Sequence, residues 1–494
     1  MDPSVRSMNE DPKILFKRPI DITEDLSTSI TFYCDFVCEN LTQSMINHSL
    51  ALLRQYHPYF RLHTDKVNDT IWLVEEESGS IPLVWFEGIL DNWEEEVNRL
   101  ANQSFDHNTS LTFLQCHYNN RGRYQLFGVV NHIALDGLGF MRALHTLFSY
   151  LGEISQCETY STILPREQRS FIDVFARNPI DKAPCFNFNH NYLTPQEMDA
   201  DTDEIQSVVS SSSGQTIGLF KKFDQLTTTK LVTNAKAHST TVQGVLSIAA
   251  LITSIWIRKS RPQLPIWSLN WCATNLRQSA RPPIDPEDCI QASAPLAWEQ
   301  NIEPHSSLWS LAEDASKQLH KHNHQHMGWH FLNAKKFNVP VQPASLMTSS
   351  NGTAQLQTKY HRLSINDLRI MTAHYNSTPL DASSHMNYTC IYDGCLNLVT
   401  TFTYPGLSKQ WGRRFHNGVI YLLECFANDE NLNVYSIIDI LDKKDKDLHS
   451  SSIISIILSK LSRIIASATK LALIPCSMVL SSFFFYMIFQ KNSI

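Results

Sequence analysis

The residues best suited to moving a proton lie in Asn131-His132-Ile133-Ala134-Leu135-Asp136-Gly137-Leu138-Gly139. An imidazole is the side chain whose unperturbed pKa lies nearest neutrality, so His132 is the natural general base of this stretch. Asp136 follows four positions later. A carboxylate there can orient the ring as a dyad partner, or turn away and pair with a basic residue that keeps the turn rigid. We read it the second way. A His-x-x-x-Asp spacing alone occurs in many proteins and reads as a structural histidine at a strand end, so the flanking sequence has to decide.

Such a base must be held by regular structure. Residues 124–131 are rich in Val, Leu, Phe and Tyr and read as a largely buried strand. Phe140, Leu144, Leu147 and Phe148 recur at helical spacing, so a helix follows. Gly137 and Gly139 remove two Cβ atoms where the backbone turns and comes close to something else. His132 therefore sits at the end of a buried strand, on a tight turn that feeds a helix.

A His-x-x-x-Asp-Gly element in a strand–turn–helix resembles the signature of the chloramphenicol-acetyltransferase-like superfamily. That group includes alcohol acetyltransferases, plant BAHD acyltransferases, polyketide-associated acyltransferases and peptide-synthetase condensation domains. Other stretches are similar in order. Residues 44–61 resemble the first helix with its closing Arg-His-Pro-x-x-Arg-like element, and 240–251 the helix that opens the second half. Asn275-Leu276-Arg277 resembles the Asn-x-Arg element, and Ser349-Ser350-Asn351-Gly352 the late Ser-Asn-x-Gly loop. The resemblance runs from about residue 13 to 430. Condensation domains usually carry two adjacent histidines, whereas position 131 is Asn, and the late Asp-Phe-Gly-Trp-Gly motif of BAHD enzymes is missing. The alcohol acetyltransferase and polyketide-associated branches remain the nearest.

The resemblance implies an α+β fold: two chloramphenicol-acetyltransferase-like subdomains, each a mixed sheet flanked by helices in an α/β two-layer sandwich, with a channel between them. It implies that Asp136 forms an ion pair ordering the motif turn, with Arg277 the preferred partner and Arg61 the other candidate. Gly137 is implied to let backbone approach the acyl group. Ser349 and Asn351 are candidates for lining the channel or polarising the intermediate, beside the equal reading of an ordinary turn. We expect an N-terminal subdomain over 13–195, a polar linker over 196–216, a C-terminal subdomain over 217–445 and an amphipathic, hydrophobic tail over 450–491.

Composition bounds the rest. The chain has 494 residues, 43% hydrophobic and 10% aromatic, which suits a large core in more than one domain. A net charge of −7 gives no basic footprint for nucleic acid. The 11 cysteines form no Cys-x-x-Cys pair, and reduced thiols in an intracellular protein are expected. His320, His322, His324, His326 and His330 include i,i+4 pairs, but no carboxylate or cysteine is in register, so they read as a solvated helix end rather than a metal site. His145 reads as packing or facing solvent. No Gly-x-Ser-x-Gly elbow points to a serine hydrolase. Residues 471–489 carry no charge over nineteen positions. At about 1.5 Å rise per residue they nearly match a hydrocarbon core of roughly 30 Å. A membrane tail anchor and a terminal helix packed on the domain are both open. An anchor would tether a cytoplasmic catalytic part to the endoplasmic reticulum membrane.

The expected function is an enzyme: transfer of an acyl group, with acetyl the nearest model, from acyl-CoA as co-substrate to a small or lipidic alcohol. His132 is the general base, and no bound cofactor and no metal are implied. We expect a monomer. The alternatives are a condensation-type N-acyltransferase with a carrier-bound donor, and a catalytically silent, membrane-tethered interaction protein.

Overall fold

The strand that delivers His132 is the middle of a sheet built from both ends of the chain. The computed structural model describes residues 13–20, 26–104, 106–133, 135–156, 190–193, 214–341, 344–374 and 385–446. The first part contains strands β1 (Ile14–Pro19), β2 (Thr28–Cys38), β3 (Leu62–Val67), β4 (Thr70–Glu76), β5 (Leu83–Glu87), β6 (Thr112–Tyr118) and β7 (Arg123–Asn131). Helices α1 (Gln43–Tyr56), α2 (Trp93–Ala101) and α3 (Gly137–Ile154) lie among them. The second part contains β8 (Gln215–Lys222), β9 (Ile266–Asn275), β10 (Ser293–Ile302), β11 (Met347–Thr353), β12 (Lys359–Tyr360), β13 (Leu363–His374), β14 (His385–Tyr392) and β15 (Cys395–Tyr404). Its helices are α4 (Gln225–Ala237), α5 (Val242–Ile257), α6 (Leu308–His324), α7 (Met327–Lys336) and α8 (Lys409–Ala427).

The strands form two six-stranded mixed sheets and one three-stranded sheet. The first large sheet has the order β12-β13-β2-β7-β6-β5, the second β10-β9-β11-β14-β15-β8. The small sheet is β1-β4-β3. Mixed sheets with flanking helices make this the α+β class. The division at 196–216 is not a clean cut between two sheets. β12 and β13, deep inside the expected 217–445 subdomain, belong to the first sheet, where β13 pairs with β2 from Leu363↔Cys38 to His374↔Thr28. Of the expected linker, only residues 214–216 are described, and Gln215 already begins β8.

Local sequence explains the elements that hold the site. In β7 every residue after Arg123 is buried, because the strand is covered on both faces. α5 starts at Thr241, whose side chain caps Gly244 N–H at 3.1 Å, and is buried on all sides from Gly244 to Ile257. A helix apolar all round belongs in a core. Among the described residues, no single helix is long and apolar enough to cross a membrane. The tail at 450–491 lies outside the described residues. The chain divides into two units, Met1–Val434 and Tyr435–Ile494, and in the latter residues 435–446 are helical.

Candidate active site

β7 ends at Asn131, and His132 begins the turn, half-buried, with its main-chain N–H donating to the Thr28 carbonyl at 2.8 Å. Thr28 is the first residue of β2, so His132 stands at one end of the first sheet, beside the end of β13 at His374.

Asp136 is 2% exposed and closes the turn by capping α3. Its Oδ1 accepts from Gly139 N–H at 2.8 Å and from Arg277 Nη2 at 2.8 Å. Its Oδ2 accepts from Arg277 Nη1 at 2.7 Å and from Ala292 N–H at 2.9 Å. Two oxygens thus carry four N–H donors, which uses the full capacity of a carboxylate. The arrangement is a bidentate charge-assisted pair in a buried setting, the geometry in which such bonds are strongest. It fixes Asp136 as a brace of the turn.

The brace crosses the chain. Arg277 follows β9, is 5% exposed, and also donates to the Ile290 carbonyl at 2.9 Å. Asn275 Oδ1 accepts from Arg277 N–H at 3.0 Å, which orders the Asn-Leu-Arg element itself. The motif of the first half is therefore bolted to 275–292 of the second. Gly139 is needed here: an added Cβ would stand 3.0 Å from both the N and O of Ile290.

Arg61, the other candidate partner, lies elsewhere. Its guanidinium grips Glu75 Oε1 at 2.9 and 2.7 Å and donates to the carbonyls of Arg54 and Gln55. It therefore ties the end of α1 to β4 and does not reach Asp136. The reason is proximity: Arg61 directly precedes β3, which pairs with β4 and sets Leu62 opposite Glu75.

Gly137 meets the Ser-Asn-x-Gly element, which lies in strand β11 rather than in a loop or turn. A Cβ on Gly137 would lie 2.7 Å from Asn351 Nδ2 and 3.3 Å from its Oδ1. Asn351 in turn donates to the Tyr388 hydroxyl at 2.8 Å. Ser349 is buried in β11, in register with Tyr388 of β14. The structure thus brings Asn351 to the motif and leaves Ser349 within the sheet beside it. Tyr388 was not singled out from sequence, and neither was Tyr59, whose hydroxyl donates to the Asn131 carbonyl at 2.7 Å. Burial drives both phenols far above their ordinary pKa, so both are neutral hydrogen-bonding groups. Tyr388 also borders a small void between the two sheets, with room for about one water molecule, lined by Leu368, Ile370, Cys390, Tyr392, Asn397 and Val399.

The two decoys are placed as well. His145 Nδ1 lies 2.8 Å from the Tyr360 hydroxyl. His320 and His324 face each other on α6, and His322 Nδ1 sits 2.8 Å from the Ala297 carbonyl. No group of three His, Cys, Asp or Glu among the described residues is set to hold a metal ion.

This architecture is the chloramphenicol-acetyltransferase-like fold shared by acyltransferases and condensation domains. Polyketide synthase associated protein 5 from Mycobacterium tuberculosis superposes with a TM-score of 0.60 at 15% identity, over 85% of this chain and 100% of that one. A trichothecene 15-O-acetyltransferase from Fusarium sporotrichioides gives 0.58 at 12%, over 83% and 95%. The condensation domain of the monacolin K polyketide synthase gives 0.59 at 9%, over 85% and 99%. In sequence, residues 221–401 match the family described as the phthiocerol/phthiodiolone dimycocerosyl transferase C-terminus. Among curated proteins none matches the chain in sequence.

Proposed function

We propose that the protein transfers an acyl group from a CoA thioester to an alcohol, with His132 as general base. The observation that carries this is the division of labour in the motif. Asp136 is spent on Arg277, Gly139 and Ala292, which leaves the half-buried His132 as the group placed to move a proton. In the reaction, His132 takes the hydroxyl proton of the acceptor. The oxygen attacks the thioester carbonyl, the C–S bond breaks, and His132 returns the proton to the departing thiolate. Proton transfer of this kind contributes about 10²–10⁴-fold, and holding both substrates together adds an entropic gain. The polyketide-associated family match over 221–401 and the acetyltransferase among the fold's neighbours support the reading.

A second reading is favoured by the condensation domains among the structural neighbours: N-acylation with a carrier-bound donor. The test is release of free thiol from acetyl-CoA and longer acyl-CoAs with a panel of alcohols and amines. His132→Ala should lower turnover by about 10²–10⁴-fold without loss of thermal stability. Preference for amines promotes the second reading. Absence of His132-dependent thiol release with every donor refutes the enzyme and leaves a silent interaction protein. The tail anchor stands as a proposal resting on the uncharged run 471–489, and a reporter fused to 450–494 that stays diffuse would overturn it.

A further inference from the structure

The residue before the base is Asn131, where the paired-histidine branch has a second histidine, and it is wholly buried. Its bonds tie the backbone around His132 to neighbouring segments. Its main-chain N–H donates to the Leu111 carbonyl at 2.8 Å, and its own carbonyl accepts from Tyr59 Oη at 2.7 Å. Its Nδ2 donates to the Leu26 carbonyl at 2.9 Å and lies 3.3 Å from His107 Nε2. Its Oδ1 accepts from Ile133 N–H at 2.9 Å. That last bond closes an Asx turn whose central residue is His132. With His132 N–H on the Thr28 carbonyl, the main chain is fastened before, at and after the base.

We propose that Asn131 is a positioning residue that holds His132 in its reactive placement through this Asx turn. The inference rests on the reading of His132 as the base. An amide suits the task because it offers an acceptor to Ile133 and a donor to Leu26 at once, and it does not titrate. The titratable groups facing it are Tyr59, and His107 with Asp106 beside it. Burial holds His107 below its ordinary pKa, which keeps its Nε2 available as an acceptor for Nδ2. A displacement of about 1 Å at a reacting group can reduce rate about 100-fold, so loosening this turn should be read in turnover.

The experiment compares wild type, Asn131→Ala and Asn131→His as full chains. Two quantities are measured: steady-state acyl transfer from acyl-CoA, and amide hydrogen exchange at Ile133. Asn131→Ala should lower kcat about 10- to 100-fold with KM for acyl-CoA within about 3-fold, because substrate contacts are untouched. Ile133 should exchange at least about 10-fold faster once its acceptor is gone. In Asn131→His the imidazole can accept from Ile133 only while neutral, so kcat should recover near pH 8 and fall more steeply than wild type toward pH 6. If Asn131→Ala does not fold, the Asn131→His pH profile decides in the same way. Wild-type kcat in folded Asn131→Ala, unchanged Ile133 exchange, or a wild-type pH profile in Asn131→His overturns the proposal. If wild type shows no His132-dependent transfer, the function proposed above fails, and the exchange measurement still decides whether the turn exists.

Discussion

Removing Asp136 should reveal how much of the motif's order is borrowed from the second half. Asp136→Ala deletes four acceptor contacts at 2.7–2.9 Å. It leaves a guanidinium with only 7% of its side chain exposed. The Ile290 carbonyl then remains as its close acceptor, with Asn275 Oδ1 at 3.5 Å. Breaking one partner out of a buried pair costs about 3–5 kcal/mol, and the lost helix cap adds about 1 kcal/mol. Against a typical total of about 5–15 kcal/mol this is about a quarter of the stability or more. Arg277→Ala should cost a similar amount for the mirrored reason. The double variant has no orphaned charge, so its loss should fall short of the sum by about 2 kcal/mol or more. Urea unfolding of the four proteins, followed by circular dichroism, gives the cycle, and turnover should vanish in both single variants. Additivity within about 0.5 kcal/mol would refute the reasoning, because residues that do not share a contact behave in that way.

Three further outcomes are expected. Gly137→Ala should lower kcat/KM about 10- to 100-fold, because its Cβ would stand 2.7 Å from Asn351 Nδ2, and adding Asn351→Ala should recover part of the loss; steady-state kinetics check both. Leu368 is 2% exposed where the two sheets face each other, so Leu368→Ala should lower stability by about 2–5 kcal/mol in urea unfolding, and a loss below about 1 kcal/mol would show that the sheets are not close-packed there. His416 is buried, and desolvation lowers its pKa to about 4. The unfolded chain, with an ordinary value near ~6.5, then binds more protons below neutrality. Stability contributed by the neutral ring is complete above about pH 6.5 and is lost progressively toward pH 4, by up to about 3 kcal/mol. His416→Gln keeps a donor for Thr400 Oγ1, now 2.9 Å from Nδ1, and should flatten that acid slope in thermal melts.

The motif was legible because its chemistry is local. A buried strand, a turn with two glycines and an apolar-striped helix can each be read within a few residues, and the structure has β7, the turn and α3 there. The helices within 44–61 and 240–251, read through the resemblance, are there as well, as α1 and α5. What stayed hidden depends on distant partners. The resemblance alone prefers Arg277 over Arg61 as the partner of Asp136, and the structure has that pairing; that Arg61 goes to Glu75 follows from the pairing of β3 with β4. Asn351 reads as a turn residue, since nothing near it signals that Gly137 lies against it. β13 carries little strand signal, because Asn366, Asp367 and Arg369 interrupt its apolar run. Asn366 bonds Asp35 of the neighbouring β2, while Arg369 reaches the buried Asn397 of β15 and Asp367 reaches Lys222 of β8, so polarity at 367 and 369 marks a seam between sheets rather than a loop.

That seam bears on how the site assembles. β2 is eleven residues long and, apart from Thr28 at its start, exposes only Val37. On one side it has β7, and on the other only β13, from more than three hundred residues later. Without β13 it would present a long, flat, apolar edge, the kind that pairs with other chains. The second sheet has the matching problem at β8, and α2 covers it. Asn98 accepts from Gly218 N–H at 2.6 Å and donates to its carbonyl at 3.1 Å. Asn102 does the same at Thr216 with both bonds at 2.7 Å. Two amides one helical turn apart thus pair with alternate residues of an edge strand, as a neighbouring strand would. Each half closes an open edge of the other, and Asp136 with Arg277 joins them again at the motif. The placement of His132 is therefore a property of the assembled pair of sheets, and fragments cut at the linker should aggregate through β2 rather than retain a partial activity.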